Sequence, residues 1–141
     1  MTDQAPTPVA KPIPEPDDAS RPFFEGALQG RLMLMRCDDC GTLRLPSRMH
    51  CDVCLSANTS WTEASGRGTV RSFCIMHQRY HAAFEPEIPY NIAVVELEEG
   101  PRIVTNLRGI DNHDIRVGMA VVVQWEHYPD LNAAMPKFRP A

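Results

Sequence analysis

The stretch CDDCGTLRLPSRMHCDVC, residues 37–54, decides how this chain is held together. It sets two knuckles, Cys37-Asp38-Asp39-Cys40 and Cys51-Asp52-Val53-Cys54, ten residues apart. Two cysteines separated by two residues can grip one metal ion from a single tight turn, and two such turns supply the four soft ligands that tetrahedral zinc prefers. The spacer is shorter than the common pattern but long enough for one hairpin. Four sulfurs leave no open coordination position, so the expected ion is one structural zinc held by Cys37, Cys40, Cys51 and Cys54.

Upstream, residues 1–19 carry five prolines and almost no large apolar side chain. Such a segment cannot bury enough surface to offset its ordering entropy and reads as an extended, disordered tail. From residue 20 the character changes. Asp18 or Ser20 is placed to cap a helix whose first turn accepts Pro22, with Phe23, Phe24, Ala27 and Leu28 at helical spacing and Gly30 as its stop. A helix this short, with Gly26 inside, is marginal alone and must dock, on its own domain or on a partner chain. Residues 31–36, RLMLMR, read as a strand leading into the first knuckle, so that residues 20–36 form a lead-in to a zinc ribbon over 37–60.

Residues 61–141 read as all-β. Residues 69–76 are rich in β-formers, and YNIAVVEL, residues 90–97, is an almost continuous apolar run bounded by turns. Glu98-Glu99-Gly100-Pro101 makes a turn, RIVTNL (102–107) returns, and MAVVVQWE (119–126) is the last long strand. Four or five short strands in this length suit a small OB-type barrel. The prolines of the closing segment 135–140 exclude a helix, leaving an extended tail in which Phe138 packs back on the barrel or reaches a partner. The fold class expected is mainly β: an N-terminal helix, a zinc ribbon and a C-terminal OB barrel.

The formal charge of −4 argues against binding a nucleic-acid backbone, and only Lys11 and Lys137 are lysines. Arg31, Arg36, Arg44 and Arg48 flank the knuckles and are read as offsetting the charge of the metal site. No stretch approaches the length of a membrane helix, the first residues lack a signal-peptide core, and an odd cysteine, Cys74, fits a reducing compartment, so a cytoplasmic location is expected. Strand alternation sets Val70, Ser72, Cys74 and Met76 on one face and His77 on the other, which argues against a Cys74–His77 dyad and favours a thiol packed in the barrel.

Several short motifs occur in a fixed order: Pro-Phe-Phe-Glu-Gly (22–26), Gly-Arg-Leu (30–32), Cys37 to Gly41, Pro46, the second knuckle, Ser65-Gly66-Arg67-Gly68-Thr69-Val70, Val95-Glu96-Leu97, Glu99-Gly100-Pro101-Arg102 and Val117-Gly118-Met119. Together they resemble the family of small zinc-ribbon/OB-fold proteins that accompany acyl-CoA enzymes in bacteria and archaea. The resemblance implies a rubredoxin-like ribbon and a C-terminal OB barrel. It also implies a non-catalytic accessory subunit, inactive alone, in a hetero-oligomer built on a dimer of a thiolase-superfamily enzyme of thiolase or aldolase type. There it helps bind or channel acyl-CoA and completes the partner's active site. Some relatives pair instead with MaoC-like enoyl-CoA hydratases, and OB folds of another class bind single-stranded nucleic acid. One departure is visible. Leu55 follows the second knuckle where many relatives have glycine, which predicts an altered turn without loss of metal.

The polar, aromatic segment from His77 to Phe84 reads either as a solvated loop with one anchoring aromatic or, in that setting, as a functional loop. Arg79 and His81 are candidates for CoA phosphates, and Tyr80 and Phe84 for a partner or the pantetheine arm. Phe23, Phe24 and Leu28 of the helix, with Arg67 and His77, complete the candidate CoA or partner contacts.

Overall fold

The computed structural model describes residues 7–141, and the first six residues of the expected tail lie outside them. Residues 7–17 have no regular secondary structure, yet Lys11 is anchored, its Nζ 2.9 Å from Glu87 and 5.5 Å from the centre of the Phe84 ring. Helix α1 spans Arg21–Leu28, preceded by a reciprocal pair in which the Ser20 N–H donates to Asp17 Oδ1 (2.8 Å) and the Asp17 N–H to Ser20 Oγ (3.0 Å). Gly30 follows with φ of +72°, the left-handed stop that glycine adopts without steric cost. The docking that so short a helix needs is intramolecular: α1 lies against β1 (Met33–Cys37) and β8 (Ala133–Pro140), and Ala27 is fully buried.

Two sheets follow. The ribbon sheet has the order β2-β1-β3, with β2 at Leu43–Arg44 and β3 at Thr59–Glu63, so β1 is its central strand. The barrel sheet has the order β6-β5-β4-β7-β8, all antiparallel, with β4 at Arg67–Met76, β5 at Tyr90–Leu97, β6 at Arg102–Thr105 and β7 at Ala120–Tyr128. The two ends of that sheet meet where Leu107 bridges Phe138 in parallel, with the Phe138 N–H donating to Asn106 O (3.2 Å) and the Arg108 N–H to Phe138 O (2.8 Å). Five strands thus close almost completely, the OB arrangement. The closing segment is itself a strand, and Phe138 is fully buried at the seam.

Burial along β5 alternates without a break. Asn91, Ala93, Val95 and Leu97 face the core, while Tyr90, Ile92, Val94 and Glu96 face outward and are half-buried. Asn91 is a polar residue in the core because its amide replaces a strand partner: Oδ1 accepts from the Leu107 N–H (2.6 Å) and Nδ2 donates to Leu107 O (3.0 Å). Pairing of β4 with β5 slips between Val70 and Ser72, leaving Arg71 as an extra residue. The slip corrects the expected face assignment. Val70 is fully buried, whereas Cys74 beyond the bulge is exposed on the outer face and is not packed in the barrel.

Gly68 lies where β4 passes tightly over β5. A Cβ there would sit 2.6 Å from Glu96 O and 2.6 Å from Val95 Cγ1. Gly68→Ala is therefore expected to destabilise the protein by about 1–3 kcal/mol, as overpacking does. Urea unfolding measures it, and an unchanged midpoint would contradict the close approach.

Candidate metal centre and binding cleft

Each knuckle is a tight turn closed by a backbone bond. The Gly41 N–H donates to Cys37 O (2.8 Å) in the first and the Leu55 N–H to Cys51 O (3.0 Å) in the second. Gly41 has φ of +78° and Leu55 φ of +62°. The turn expected to change at Leu55 is therefore kept, and leucine is held in a backbone region that disfavours it. Asp39 ties the knuckles together, its carboxylate accepting from Ser56 Oγ and from Asn58 Nδ2 (3.1 Å).

The result is a compact sulfur cluster. Cys37 Sγ lies 3.5 Å from Cys54 Sγ, Cys40 Sγ lies 3.6 Å from Cys51 Sγ, and all four are within 4.8 Å of one another. Zinc–sulfur bonds of about 2.3 Å require tetrahedral edges of about 3.8 Å, so the cluster fits one ion. Cys37 and Cys51 are buried, and Cys40 and Cys54 lie at the surface. The backbone N–H groups of Cys54 and Val53 pull the Cys51 thiol down to about 6. At Cys54 the Ser56 amide also pulls down, but the sulfurs of Cys37, Cys40 and Cys51 outweigh it and push the thiol up to about 12. Four adjacent sulfurs cannot all ionise unaided, and a dication removes that conflict. The protein is a zinc-ribbon protein with one closed, structural metal site. Of the flanking arginines, Arg31 pairs with Glu63 (3.0 Å), and Arg44 is buried with its guanidinium on Met35 Sδ (3.2 Å) and Arg48 O (3.2 Å).

A cleft of about 650 Å³ lies between α1, the turn after β2 and the outer face of β5 and β6. Phe23 and Phe24 from the helix, Leu45 from the ribbon, and Phe84, Ile92 and Met135 from the barrel give it apolar walls. Its floor is polar. Arg108 Nε holds Glu126 Oε2 at 2.9 Å, Tyr128 donates to Glu126, and Lys137 Nζ donates to Asn106 Oδ1 (2.7 Å). Burial pushes the Glu126 carboxyl up, but the hydrogen bonds from Arg108 and Tyr128 outweigh it and hold it below the usual carboxylate range. Burial also pushes the Lys137 amine down, and burial with the Glu126 bond pushes the Tyr128 phenol up.

These floor contacts give a titration test. A depressed carboxyl contributes stability above its unfolded value that is lost as pH falls through the folded one. Arg108→Gln removes the chief partner and leaves the burial, so Glu126 is expected to titrate at higher pH. NMR titration of the Glu126 carboxyl in the two proteins checks the direction, and an unmoved midpoint would contradict it.

The structure divides the candidate contact residues. Phe23, Phe24 and Phe84 line the cleft. His81 accepts the Ala83 N–H at Nδ1 (3.1 Å) and stacks edge-on to Phe84, their centroids 5.9 Å apart, so it shapes the 3-10 turn Ala82–Glu87. Arg79 is paired with Glu85 (3.1 Å), and Arg67 grips both Glu98 oxygens at 2.9 and 3.0 Å. His77 and Tyr80 are exposed, and Leu28 is 40% exposed. Sequence reasoning missed the floor, Arg108, Glu126, Tyr128 and Lys137, and the anchor Lys11. A signal was present in β5: Ile92 and Val94 are apolar on the outward face, where a one-sided sheet would carry polar residues.

Comparison with known proteins agrees with this architecture. Residues 24–60 match the family described as "ChsH2, rubredoxin-like zinc ribbon domain", and residues 61–126 match "ChsH2, C-terminal OB-fold domain". A chain of the solved "Ltp2-ChsH2(DUF35) aldolase" superposes with a TM-score of 0.82 at 42% identity, over 91% of this chain and 98% of that one. A "Probable enoyl-CoA hydratase alpha subunit" of Thermomonospora curvata is 43% identical over the whole of this chain, which spans 43% of that protein's length. A "DUF35 domain-containing scaffold protein" of Methanocaldococcus jannaschii is 38% identical over 64% of this chain and 64% of its own length. The chain belongs to the ChsH2 family of zinc-ribbon and OB-fold proteins.

Proposed function

We propose that this protein is a cytoplasmic, non-catalytic accessory subunit of an acyl-CoA enzyme that makes or breaks carbon–carbon bonds, of thiolase or aldolase type. The observation that carries this reading is the likeness to a chain of the Ltp2-ChsH2(DUF35) aldolase, 98% of which is covered at 42% identity. The site chemistry supports it. Zinc bound by four cysteines has no position left for a substrate. Cys74, the cysteine outside the cluster, stands on the outer face of β4, its cross-strand neighbour Ile92, with no general base paired to it among the described residues. The reacting groups then belong to the partner. The cleft adjoins the partner's active site and contributes wall to the acyl-CoA tunnel through Phe23, Phe24 and Phe84. Leu28 and Tyr80, 40% and 72% exposed, are offered as apolar contacts to the partner.

Co-expression with a thiolase-superfamily protein encoded beside it, followed by size exclusion, tests the reading. One peak containing both chains is expected, and separate elution with a fully active partner would refute it. A second reading rests on the 43% identity to the hydratase alpha subunit, and the same experiment with a MaoC-like hydratase distinguishes them. The rival role in binding single-stranded nucleic acid is disfavoured by charge. Arg71 and Arg102 on the outer barrel face both pair with Glu96, at 2.5 and 3.0 Å, which leaves no free basic groove there.

A further inference from the structure

Strand β4 outruns its neighbour β7. Their register covers Arg67, Gly68 and Thr69 against Val122, Val121 and Ala120. It ends at Val70, whose N–H donates to Met119 O (3.0 Å) and whose carbonyl accepts from the Gly118 N–H (2.8 Å). From Ser72 to Met76 the strand continues along β5, opposite Val94 to Tyr90, and its other edge has no backbone partner among the described residues. Such an edge is a row of unmet donors and acceptors, which proteins blunt by shortness, charge or proline. The ribbon sheet does so at its own edges: β2 is two residues long, and β3 carries Glu63, which pairs with Arg31 (3.0 Å). The stretch Ser72-Phe73-Cys74-Ile75-Met76 contains no charged residue, glycine or proline. Nothing in its sequence turns another strand away.

The side chains suit one occupant, the same strand of a second copy. Antiparallel pairing about a two-fold axis returns every edge donor to an equivalent acceptor. With the axis at Cys74, Phe73 stands opposite Ile75 of the second copy, and Ser72 opposite Met76. Phe73 and Ile75 are half-buried against the barrel core, so each gains an aromatic–β-branched cross-strand neighbour on that face. Cys74 is exposed on the other face, where the two copies meet sulfur to sulfur. Arg71, at the end of the stretch, already has its charge matched by Glu96 (2.5 Å). We infer that the protein self-associates through the free edge of β4, residues 72–76, antiparallel across a two-fold axis at Cys74. This inference stands apart from the accessory-subunit reading and adds a contact between copies of the chain. So short an edge buries less than a standard interface, which sets a weak dimer with a Kd on the order of 10–100 µM.

Sedimentation velocity of the zinc-loaded full chain, from concentrations well below that range to well above it, tests the inference. The sedimentation coefficient is expected to rise from that of a monomer to that of a dimer. Cys74→Ser keeps the edge and is expected to leave the dissociation constant within about threefold. Cys74→Lys sets two like charges directly opposite each other and is expected to raise it about tenfold or more, at unchanged zinc content and melting temperature. A short bis-maleimide is expected to link unmodified chains through Cys74 and to leave Cys74→Ser chains unlinked. Should the lysine variant fold poorly, hydrogen exchange of the unmodified chain decides: amides of residues 72–76 that exchange more slowly as concentration rises support the pairing, and unchanged rates overturn it. A chain that stays monomeric throughout overturns it, and so does a dimer that Cys74→Lys leaves intact. Protection of residues 72–76 confined to a complex with a partner enzyme also overturns it and gives the edge to a strand of that enzyme. Co-elution with the partner is read separately and bears on the accessory-subunit reading alone.

Discussion

Cys51→Ser is expected to lose its one equivalent of zinc and to melt roughly 10–20 °C below the unmodified protein. Serine oxygen is a poor replacement for thiolate at a tetrahedral zinc site. The size of the effect follows from how little else holds the ribbon. Met49, Val53 and Leu55 around the second knuckle are 75%, 68% and 74% exposed, while Cys37 and Cys51 are fully buried. The metal therefore takes the place of a hydrophobic core. Leu55, held at φ of +62°, keeps its turn only while Cys51 anchors it, so the segment from residue 49 to 56 should also become sensitive to protease. Metal analysis and a thermal melt check this, and a variant that retains full zinc and melts unchanged would contradict it.

Phe138→Ala is expected to cost about 3–5 kcal/mol, against a total of roughly 5–15 kcal/mol for a domain. Phe138 has no exposed surface and sits where the barrel closes, its backbone bonded to both Asn106 and Arg108. Removing the ring leaves a cavity at the seam between the two ends of the sheet. Lys137 and Pro136, which line the cleft beside it, lose their support, so cleft geometry should loosen as well. Unlike Cys51→Ser, this variant is expected to keep one zinc per chain, because the ribbon is organised by its own sulfurs. Denaturant unfolding with parallel metal analysis separates the two effects, and a cost below about 1 kcal/mol would show that the seam does not depend on the ring.

Local signals in the sequence were strong where one residue type forces one geometry. The paired C-x-x-C knuckles demand a metal, Gly30 a helix stop and Glu98-Glu99-Gly100-Pro101 a turn, and the apolar run 90–97 has the ends of strand β5, Tyr90–Leu97. What escaped was relational. The bulge at Arg71 reverses the face of every later residue in β4, and the surplus that causes it is visible only against β5. The closing strand looked like a tail because Pro136 and Pro140 discourage pairing, yet it runs antiparallel to β7 along its whole length. The cleft floor was unreadable for the same reason: Arg108, Glu126, Tyr128 and Lys137 come from three segments that only barrel closure brings together. Lys11 was hidden in a proline-rich stretch whose composition gave no hint of the Glu87 and Phe84 contacts.

In the proposed function the chemistry belongs to a partner and this chain completes it. Steady-state turnover of an acyl-CoA substrate by the neighbouring thiolase- or aldolase-type protein, titrated with this zinc-loaded chain, tests it most directly. The prediction is no turnover by this chain alone, and a partner rate that climbs with added chain to a plateau at a fixed small-integer ratio. A partner rate indifferent to this chain, or turnover by this chain alone, would contradict it.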